Sequence, residues 1–177
     1  REQASLILSG PPSAVGIEPE TFLTQLRRAF HAAMILTYAQ GLALLAVAAD
    51  SYEYQLNPET VARIWRGGCI IRAALLEDIR EAYRRQPGLQ NLLLDPAASR
   101  KLMANQEDLR RVVCAAAEAG LPAPGFMSAL GYLDGYRSAW LPANLIQAQR
   151  DYFGAHTYER VDAKGTFHTE WGGGGAC

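Results

Sequence analysis

A long uncharged stretch near the start of the chain constrains the fold more than any other feature of the sequence. No charged residue occurs from Ala32 to Ala49, and the stretch continues an apolar pattern that begins near Pro19. Apolar positions recur there at every third or fourth residue, the spacing of one helix face: Phe22, Leu26, Phe30, Ala33, Met34, Tyr38, Leu42 and Leu45. The pattern predicts one long helix over residues 19–49, with proline at a favoured first-turn position.

The same stretch is long enough to span a lipid bilayer, so a membrane helix has to be weighed against a core helix. It is rich in alanine and is interrupted by polar residues such as Thr37 and Gln40, which insert poorly into lipid. We therefore expect a helix that is buried on most sides within a larger helical core, and no membrane partner.

Glycine, proline and capping residues divide the rest of the chain into further helices. Asn57 before Pro58 combines a side chain that accepts free amide hydrogens with a residue that has none to donate. The predicted segments are a loop over 6–18, a short helix from Asn57, a second long helix over 64–85, and helices over 95–104, 107–119, 122–137 and 142–153. Gly120 stands where a left-handed residue commonly ends a helix. Because no alternating strand pattern and no internal repeat stand out, the predicted class is all-α.

The chain after Gly154 loses the helical spacing. Its apolar residues, among them Tyr158, Phe167 and Trp171, are separated by polar ones, which predicts an extended arm that cannot bury itself alone. Apolar arms that leave a compact bundle usually dock on a second subunit. We expect a helical bundle domain over residues 1–153 and an arm over 154–177 that docks on a partner subunit, with disorder in the glycine run of residues 172–175.

The composition excludes several classes of function. Lysine and arginine number 17 against 18 aspartates and glutamates, so the basic excess typical of a nucleic-acid-binding protein is missing. Cys69, Cys114 and Cys177 lack the spacing of a zinc site or a disulfide framework, and the three histidines form no metal-spaced pair. We expect no bound metal, and a reducing cytoplasm as the location. The start at Arg1 without a methionine suggests part of a longer protein.

Two glycines, Gly67 and Gly68, fall inside the second long helical pattern. A nucleotide-binding turn would need a strand before them, and the sequence shows no strand pattern there. We interpret the pair as a place where another helix or a side chain approaches the backbone closely.

The strongest candidate for a binding site lies where the last helix meets the arm. Arg150 is near the end of that helix, and His156 follows Gly154, which permits a turn. A bend there could bring a guanidinium fork and an imidazole donor to one anion, such as a phosphate or a carboxylate. The residue types alone leave two other roles open: Arg150 paired with the helix end or with Asp151, and His156 merely exposed on the arm.

Five segments of the chain carry a likeness to a known family. They are IWRGGCIIR at residues 64–72, PGLQNLLL at 87–94, DGYR at 134–137, LPANLIQAQRDYFGAHTYE at 141–159 and FHTEW at 167–171. In their order and spacing, over nearly the whole chain, they resemble the C-terminal domain of the 6-phosphogluconate dehydrogenase family.

The resemblance implies an activity, a cofactor and a substrate site. Enzymes of this family oxidise 6-phosphogluconate with NADP and decarboxylate the 3-keto intermediate to ribulose 5-phosphate and carbon dioxide, in the pentose phosphate pathway. They are homodimers whose tails reach into the partner subunit. The resemblance implies that Arg150 and His156 bind the substrate in the partner subunit's active site. Arg1, which stands ahead of Gln3-Ala4-Ser5, matches a further arginine for the substrate phosphate.

The chain departs from the family in what it lacks. The family's N-terminal dinucleotide-binding domain is absent, and its catalytic lysine and glutamate have no counterpart, since Lys101 and Lys164 do not occupy the family's lysine motif. The resemblance therefore implies no catalytic and no cofactor-binding residue in this chain, and we expect the chain alone to be inactive. The loop at residues 9–15 and the glycine-ended tail also look different. The alternative function is a stand-alone helical dimerisation module that binds no substrate.

Overall fold

A computed structural model of the chain describes residues 1–11 and 14–172, which form eight α-helices and one very short hairpin. In chain order the elements are α1 (Glu2–Ile7), α2 (Pro19–Ser51), α3 (Pro58–Gly68), α4 (Leu75–Arg85), a 3-10 turn (Leu92–Leu94), α5 (Pro96–Met103), α6 (Gln106–Glu118), α7 (Pro124–Tyr136), α8 (Asn144–Gly154), β1 (Tyr158–Glu159) and β2 (Thr166–Phe167). The all-α class predicted from the sequence is confirmed.

The chain divides into two compact units, Arg1–Asp134 and the residues from Gly135 onward. In the first unit α2 packs against α5 and α6, and α3 packs against α4. The centre of its core consists of aliphatic side chains that are almost fully buried: Ile35, Leu36, Leu42, Leu76, Ile79, Leu92 and Leu109. Burying one such side chain contributes about 1.5–3 kcal/mol to stability.

Capping side chains begin three helices at the positions that the sequence indicated. The Glu18 carboxylate accepts the amide hydrogens of residues 20 and 21, at 3.0 and 2.8 Å, at the start of α2. Asn57 accepts one amide at the start of α3, and Asp95 accepts two at the start of α5. Each cap provides an acceptor for amide hydrogens that have no partner inside the first turn.

The second long helix is wrong as predicted, because the chain leaves the helix between Cys69 and Ala74. α3 ends at Gly68 and α4 begins at Leu75. Two glycines in succession weaken the last turn of α3, since glycine loses more backbone entropy in a helix than other residues. The break is then held from outside, where the Tyr38 hydroxyl of α2 donates a hydrogen bond to the backbone oxygen of Ile71.

The interpretation of Gly67 and Gly68 as a close-approach point is also wrong. Among the residues that the structure describes, no atom outside their own helix lies within 4 Å of a β-carbon built on either glycine. The pair ends a helix and does not admit a neighbour.

Helix α2 confirms the predicted long helix but is not buried on most sides. One face carries its seven buried residues, which are Ala29, Ala32, Ala33, Ile35, Leu36, Ala39 and Leu42. The other side is apolar and open, with Phe30 and Leu44 58% and 69% exposed. Within the described part of the chain, α2 alone has the length and composition to cross a membrane, and a third of its most apolar window is buried.

The remaining helix boundaries differ from the prediction by a few residues. The sequence predicted neither helix α1 at the start of the chain nor the hairpin of β1 and β2 near its end. α1 occupies residues 2–7, where a loop was predicted from residue 6. Gly120 has a φ of +64°, which confirms the left-handed residue after α6. A β-carbon on Gly120 would lie 2.9 Å from the ring of Pro11. Glycine is therefore required there both for the backbone conformation and for the space beside Pro11.

The arm is more structured than the sequence predicted. β1 and β2 pair in antiparallel register, with Tyr158 opposite Phe167, and the arm belongs to the same compact unit as α8. The predicted domain boundary after residue 153 remains a prediction. In this structure, α8 belongs to the same compact unit as the arm, whereas the prediction put it in the bundle. Of the predicted disordered run, Gly172 lies in a turn, and residues 173–175 lie outside the described part of the chain.

Candidate functional site

The second unit is organised around one buried carboxylate, that of Asp151 on α8, which is fully covered at 0% exposure. Its Oδ1 accepts hydrogen bonds from the backbone amide of Thr157 at 2.8 Å and from Nδ1 of His168 at 2.9 Å. Its Oδ2 accepts from the amide of Thr169 at 3.0 Å and from the indole Nε1 of Trp171 at 2.9 Å. A buried carboxylate has up to four lone-pair positions, and this one uses all four.

Left-handed backbone turns bring those four donors to the carboxylate. Ala155 ends α8 with a φ of +48°, and Thr157 follows with a φ of +59°, so the chain reverses towards the helix that it has just left. The hairpin then returns the chain through Gly165, whose φ of +123° favours glycine. Because β1 pairs with β2, the chain comes back to α8, and residues 168, 169 and 171 lie beside that helix.

The environment of Asp151 keeps its carboxylate ionised. Burial alone would raise the pKa of Asp151, but the hydrogen bonds from His168, Thr169, Trp171 and Thr157 outweigh it and hold that pKa well below its usual range. The hydrogen bond to Asp151 raises the pKa of His168 above its ordinary value, although desolvation acts in the opposite direction. The negative charges of Asp151 and Glu170 raise this pKa further. The two residues form an ion pair when His168 is protonated.

His156 is placed by a close contact with the backbone. A β-carbon on Gly154 would lie 2.8 Å from Cδ2 and Nε2 of the His156 ring, so the ring rests on the face that glycine leaves bare. The hydroxyl of Thr157 donates to the backbone oxygen of His156 at 2.7 Å. His156 itself is exposed, and its ring is therefore oriented but open to a ligand.

Arg150 is exposed on α8, and its guanidinium has no hydrogen bond or ion pair with any residue that the structure describes. The alternative in which it pairs with Asp151 is wrong, because that carboxylate is enclosed by donors from the arm. The alternative in which His156 is exposed on the arm is correct as to exposure, yet the contact with Gly154 orients the ring. The second unit thus presents a guanidinium with five free donors and an imidazole, a set suited to a phosphate or a carboxylate.

Arg1 lies in the first unit, at the N-terminal cap of α1. It is exposed, and its guanidinium makes no ion pair within the described residues. Every residue of α1 is exposed as well, so this short helix leaves its arginine available to a ligand.

The sequence did not reveal the part that Asp151 and His168 play. Asp151 stands among helical residues, and its four partners follow it by 6 to 20 positions with no regular spacing. The turn that joins them lies at Ala155, not at the glycine before it, and alanine is not a residue that signals a left-handed conformation. The described residues contain no group of three or more histidine, cysteine, aspartate or glutamate side chains that could hold a metal ion.

Comparison with known proteins agrees with this architecture. The family model for 6-phosphogluconate dehydrogenase, C-terminal domain, matches residues 1–171. A 6-phosphogluconate dehydrogenase, decarboxylating, of Staphylococcus aureus (strain N315) is 50% identical over 171 residues, which are 97% of this chain and 36% of that protein. A 6-phosphogluconate dehydrogenase, decarboxylating 1, of Spinacia oleracea is 51% identical over 155 residues, 88% of this chain and 32% of that protein.

A solved structure shares the fold. It is the 6-phosphogluconate dehydrogenase of Plasmodium falciparum, determined in its apo form, with its cofactor NADP+ and with its substrate 6-phosphogluconate, and it is 38% identical with a TM-score of 0.86. The match covers 96% of this chain and 37% of that chain. This chain therefore spans about a third of the length of the relatives that it matches. It belongs to the 6-phosphogluconate dehydrogenase family, of which it represents the C-terminal domain.

Proposed function

We propose that this chain is the substrate-binding and dimerising C-terminal part of an NADP-dependent, decarboxylating 6-phosphogluconate dehydrogenase. The whole enzyme oxidises 6-phosphogluconate and releases carbon dioxide and ribulose 5-phosphate. This chain matches 36% of the Staphylococcus aureus relative. NADP binding and hydride transfer belong to the part of the enzyme that this chain does not match. The observation that carries the proposal is the match over residues 1–171, which includes the Arg150 to His156 segment.

The role of the chain's own residues is to hold the phosphate end of the substrate. Arg150 offers a planar fork of donors that suits a phosphate group, and His156 offers an imidazole whose ring is already oriented by Gly154. Arg1 is the third proposed ligand. All three side chains are exposed, and none is tied up in an ion pair with another described residue. Such groups bind a dianion without first breaking an internal bond.

A homodimer is supported by the open apolar side of α2. Leu23 and Phe30 are seven residues apart, Leu44 follows fourteen residues later, and their exposed fractions are 55%, 58% and 69%. Beside them runs a groove of about 440 Å³ that is lined mainly by apolar side chains, including Met34, Trp65 and Ile70. Contiguous apolar surface of this kind marks an interface. The proposed partner is a second copy of the chain, and the arm docks on that copy.

We place the protein in the cytoplasm. Cys69 and Cys114, the cysteines within the described residues, are both free thiols. Free thiols persist in reducing compartments, whereas secreted proteins usually pair them.

A chimera tests the proposal directly. Residues 1–171 would replace the matching C-terminal region of the Staphylococcus aureus relative, with which they share 50% identity. We expect the purified chimera to be a dimer that reduces NADP when 6-phosphogluconate is added. A folded, dimeric chimera without turnover would contradict the proposal.

The chain alone serves as the matched control for the chimera. It should dimerise but reduce no NADP, because the family's catalytic lysine and glutamate have no counterpart in it. Turnover by the chain alone would contradict the assignment of catalysis to the other part of the enzyme.

The reading frame upstream of Arg1 gives a second test. A glycine-rich dinucleotide-binding turn there supports the dehydrogenase, whereas an immediate start codon favours a stand-alone dimerisation module.

A further inference from the structure

The geometry points to Asp151 as a positioning residue that holds His156 in place for substrate binding, an inference that rests on the proposed function. Asp151 is fully buried, so it cannot touch a substrate itself. What it does contact is the backbone directly after His156, because its Oδ1 accepts the amide hydrogen of Thr157 at 2.8 Å.

The turn that carries His156 is fixed at both of its peptide groups. The amide of Thr157 is bound by Asp151, and the carbonyl oxygen of Thr157 accepts a hydrogen bond from Nε2 of Gln147, one turn earlier on α8. The residue is held in the left-handed region at a φ of +59°, which a β-branched residue rarely adopts. The two hydrogen bonds to α8 stabilise this conformation, and they place His156 over Gly154.

The other oxygen of the same carboxylate fixes the returning half of the arm. Oδ2 accepts from the amide of Thr169 and from the indole of Trp171, while His168 shares Oδ1 with Thr157. One side chain therefore joins the outgoing and the returning strand of the hairpin to α8. Removal of the whole side chain would take away the acceptor of both ends of the arm at once.

Asparagine at position 151 is the sharpest substitution, because it keeps the size and changes only the hydrogen-bonding pattern. An amide has one accepting oxygen and one donating nitrogen. Turned towards Thr169 and Trp171, its nitrogen faces two groups that can only donate. Turned towards Thr157 and His168, it faces only the Thr157 amide as an obligate donor, because a neutral His168 ring can accept a hydrogen bond. The second orientation is therefore favoured, and it replaces the hydrogen bond from Thr157 by a contact between two donors.

In the chimera, Asp151→Asn should raise the KM for 6-phosphogluconate about tenfold and change kcat far less, since displacement of a binding group by about an ångström is enough for such a loss. His156→Ala should have a similar effect. The deciding variant carries both substitutions. If Asp151 acts through His156, adding Asp151→Asn to His156→Ala raises KM less than about twofold further, because the two effects are not additive.

A merely structural role predicts a different result. Asp151→Asn would then raise KM by the same factor whether His156 is present or not, and that outcome would overturn the inference. The melting temperature is the second readout, and Asp151→Asn should lower it equally in both backgrounds.

A measurement on the 177-residue chain separates this inference from the proposed function. In the unsubstituted chain, nuclear Overhauser contacts should join the His156 ring protons to the α-protons of Gly154, and in Asp151→Asn they should disappear. If the contacts disappear but the unsubstituted chimera has no turnover, the proposed function fails and the positioning stands. If the contacts persist in the variant, the positioning is wrong whatever the chimera does.

Discussion

The imidazole of His156 lies so close to the backbone of Gly154 that a β-carbon there would be 2.8 Å from two of its ring atoms. Gly154 itself is the last residue of α8 and has no positive φ, so its backbone would accept alanine. The contact, not the conformation, is what requires glycine at this position.

Gly154→Ala should therefore displace the ring without unfolding the protein. A histidine ring can rotate away at little cost, and alanine favours a helix by up to about 1 kcal/mol over glycine, so we expect an unchanged or slightly higher melting temperature. The KM for 6-phosphogluconate in the chimera should nevertheless rise to about the value of His156→Ala. Gly131→Ala is the matched control, because a β-carbon there meets no described atom within 4 Å. An unaltered KM for Gly154→Ala would show that the ring position is irrelevant.

Arg150→Ala should weaken substrate binding, because it removes a charged ligand of the substrate phosphate. A hydrogen bond to a charged group contributes about 1.5–3 kcal/mol, which corresponds to a rise in KM of roughly tenfold to hundredfold. Arg160→Ala provides the control, since that arginine is already paired with Asp162. Steady-state kinetics of the chimera with both variants distinguish a local phosphate contact from a general loss of positive charge. Equal KM values for the two variants would contradict the role of Arg150.

The attachment of the arm should weaken as the pH rises above neutrality. His168 has a raised pKa in the folded chain, so its contribution to stability is complete below the ordinary histidine value of about 6.5 and is lost as the pH rises through the raised value. Asp151 has a lowered pKa, and its contribution is present above about 3.9 and is lost only in strong acid. The charge of Glu170 also acts on His168 and, like that of Asp151, raises the pKa of His168.

His168→Asn supplies the comparison for this pH dependence, because its amide nitrogen can still donate to Asp151 but does not titrate. The indole proton of Trp171, followed by nuclear magnetic resonance between pH 6 and pH 9, reports on the attachment through its hydrogen bond to Asp151. The signal should broaden or shift with rising pH in the unsubstituted chain, and much less in the variant. Identical profiles in both proteins would rule out His168 as the origin.

The apolar side of α2 should control the association of two chains. Leu44→Glu places a charge where 69% of the leucine is exposed, so the isolated fold tolerates it, whereas a buried interface would not. We expect light scattering to report a monomer with unchanged helix content by circular dichroism. Met103→Glu is the control, since Met103 is 51% exposed and lies outside α2, and this variant should remain a dimer. Dimers of Leu44→Glu with undiminished affinity would place the interface elsewhere.

Local signals predicted the helices that begin with them. Pro19, Asn57 and Asp95 each mark a start that the structure has, because capping depends on a few neighbouring residues. The break between α3 and α4 was missed because Cys69, Ala73 and Leu76 continue the apolar spacing of Trp65 across it. Within the break Ile70 and Ile71 are exposed, at 102% and 44%, so apolar residues there do not report a buried helix face.

The candidate site shows the same limit. Arg150 and His156 could be selected by residue type, because a guanidinium and an imidazole near a turn suit an anion. Asp151 could not, since its importance depends on contacts with residues up to 20 positions away that meet only after the chain has turned at Ala155. Residue chemistry is visible in a sequence, whereas the hydrogen-bond partners of a buried carboxylate depend on the fold.

The closed set of hydrogen bonds around Asp151 also affects the entropy of association. Every donor to this carboxylate comes from the arm of the same chain, so residues 155–171 are already ordered before any second subunit approaches. A flexible arm would lose about 1–2 kcal/mol of backbone entropy per residue when it docks. An arm that folds on its own helix has lost that freedom beforehand, and a partner surface that receives it therefore binds it more tightly for the same contacts.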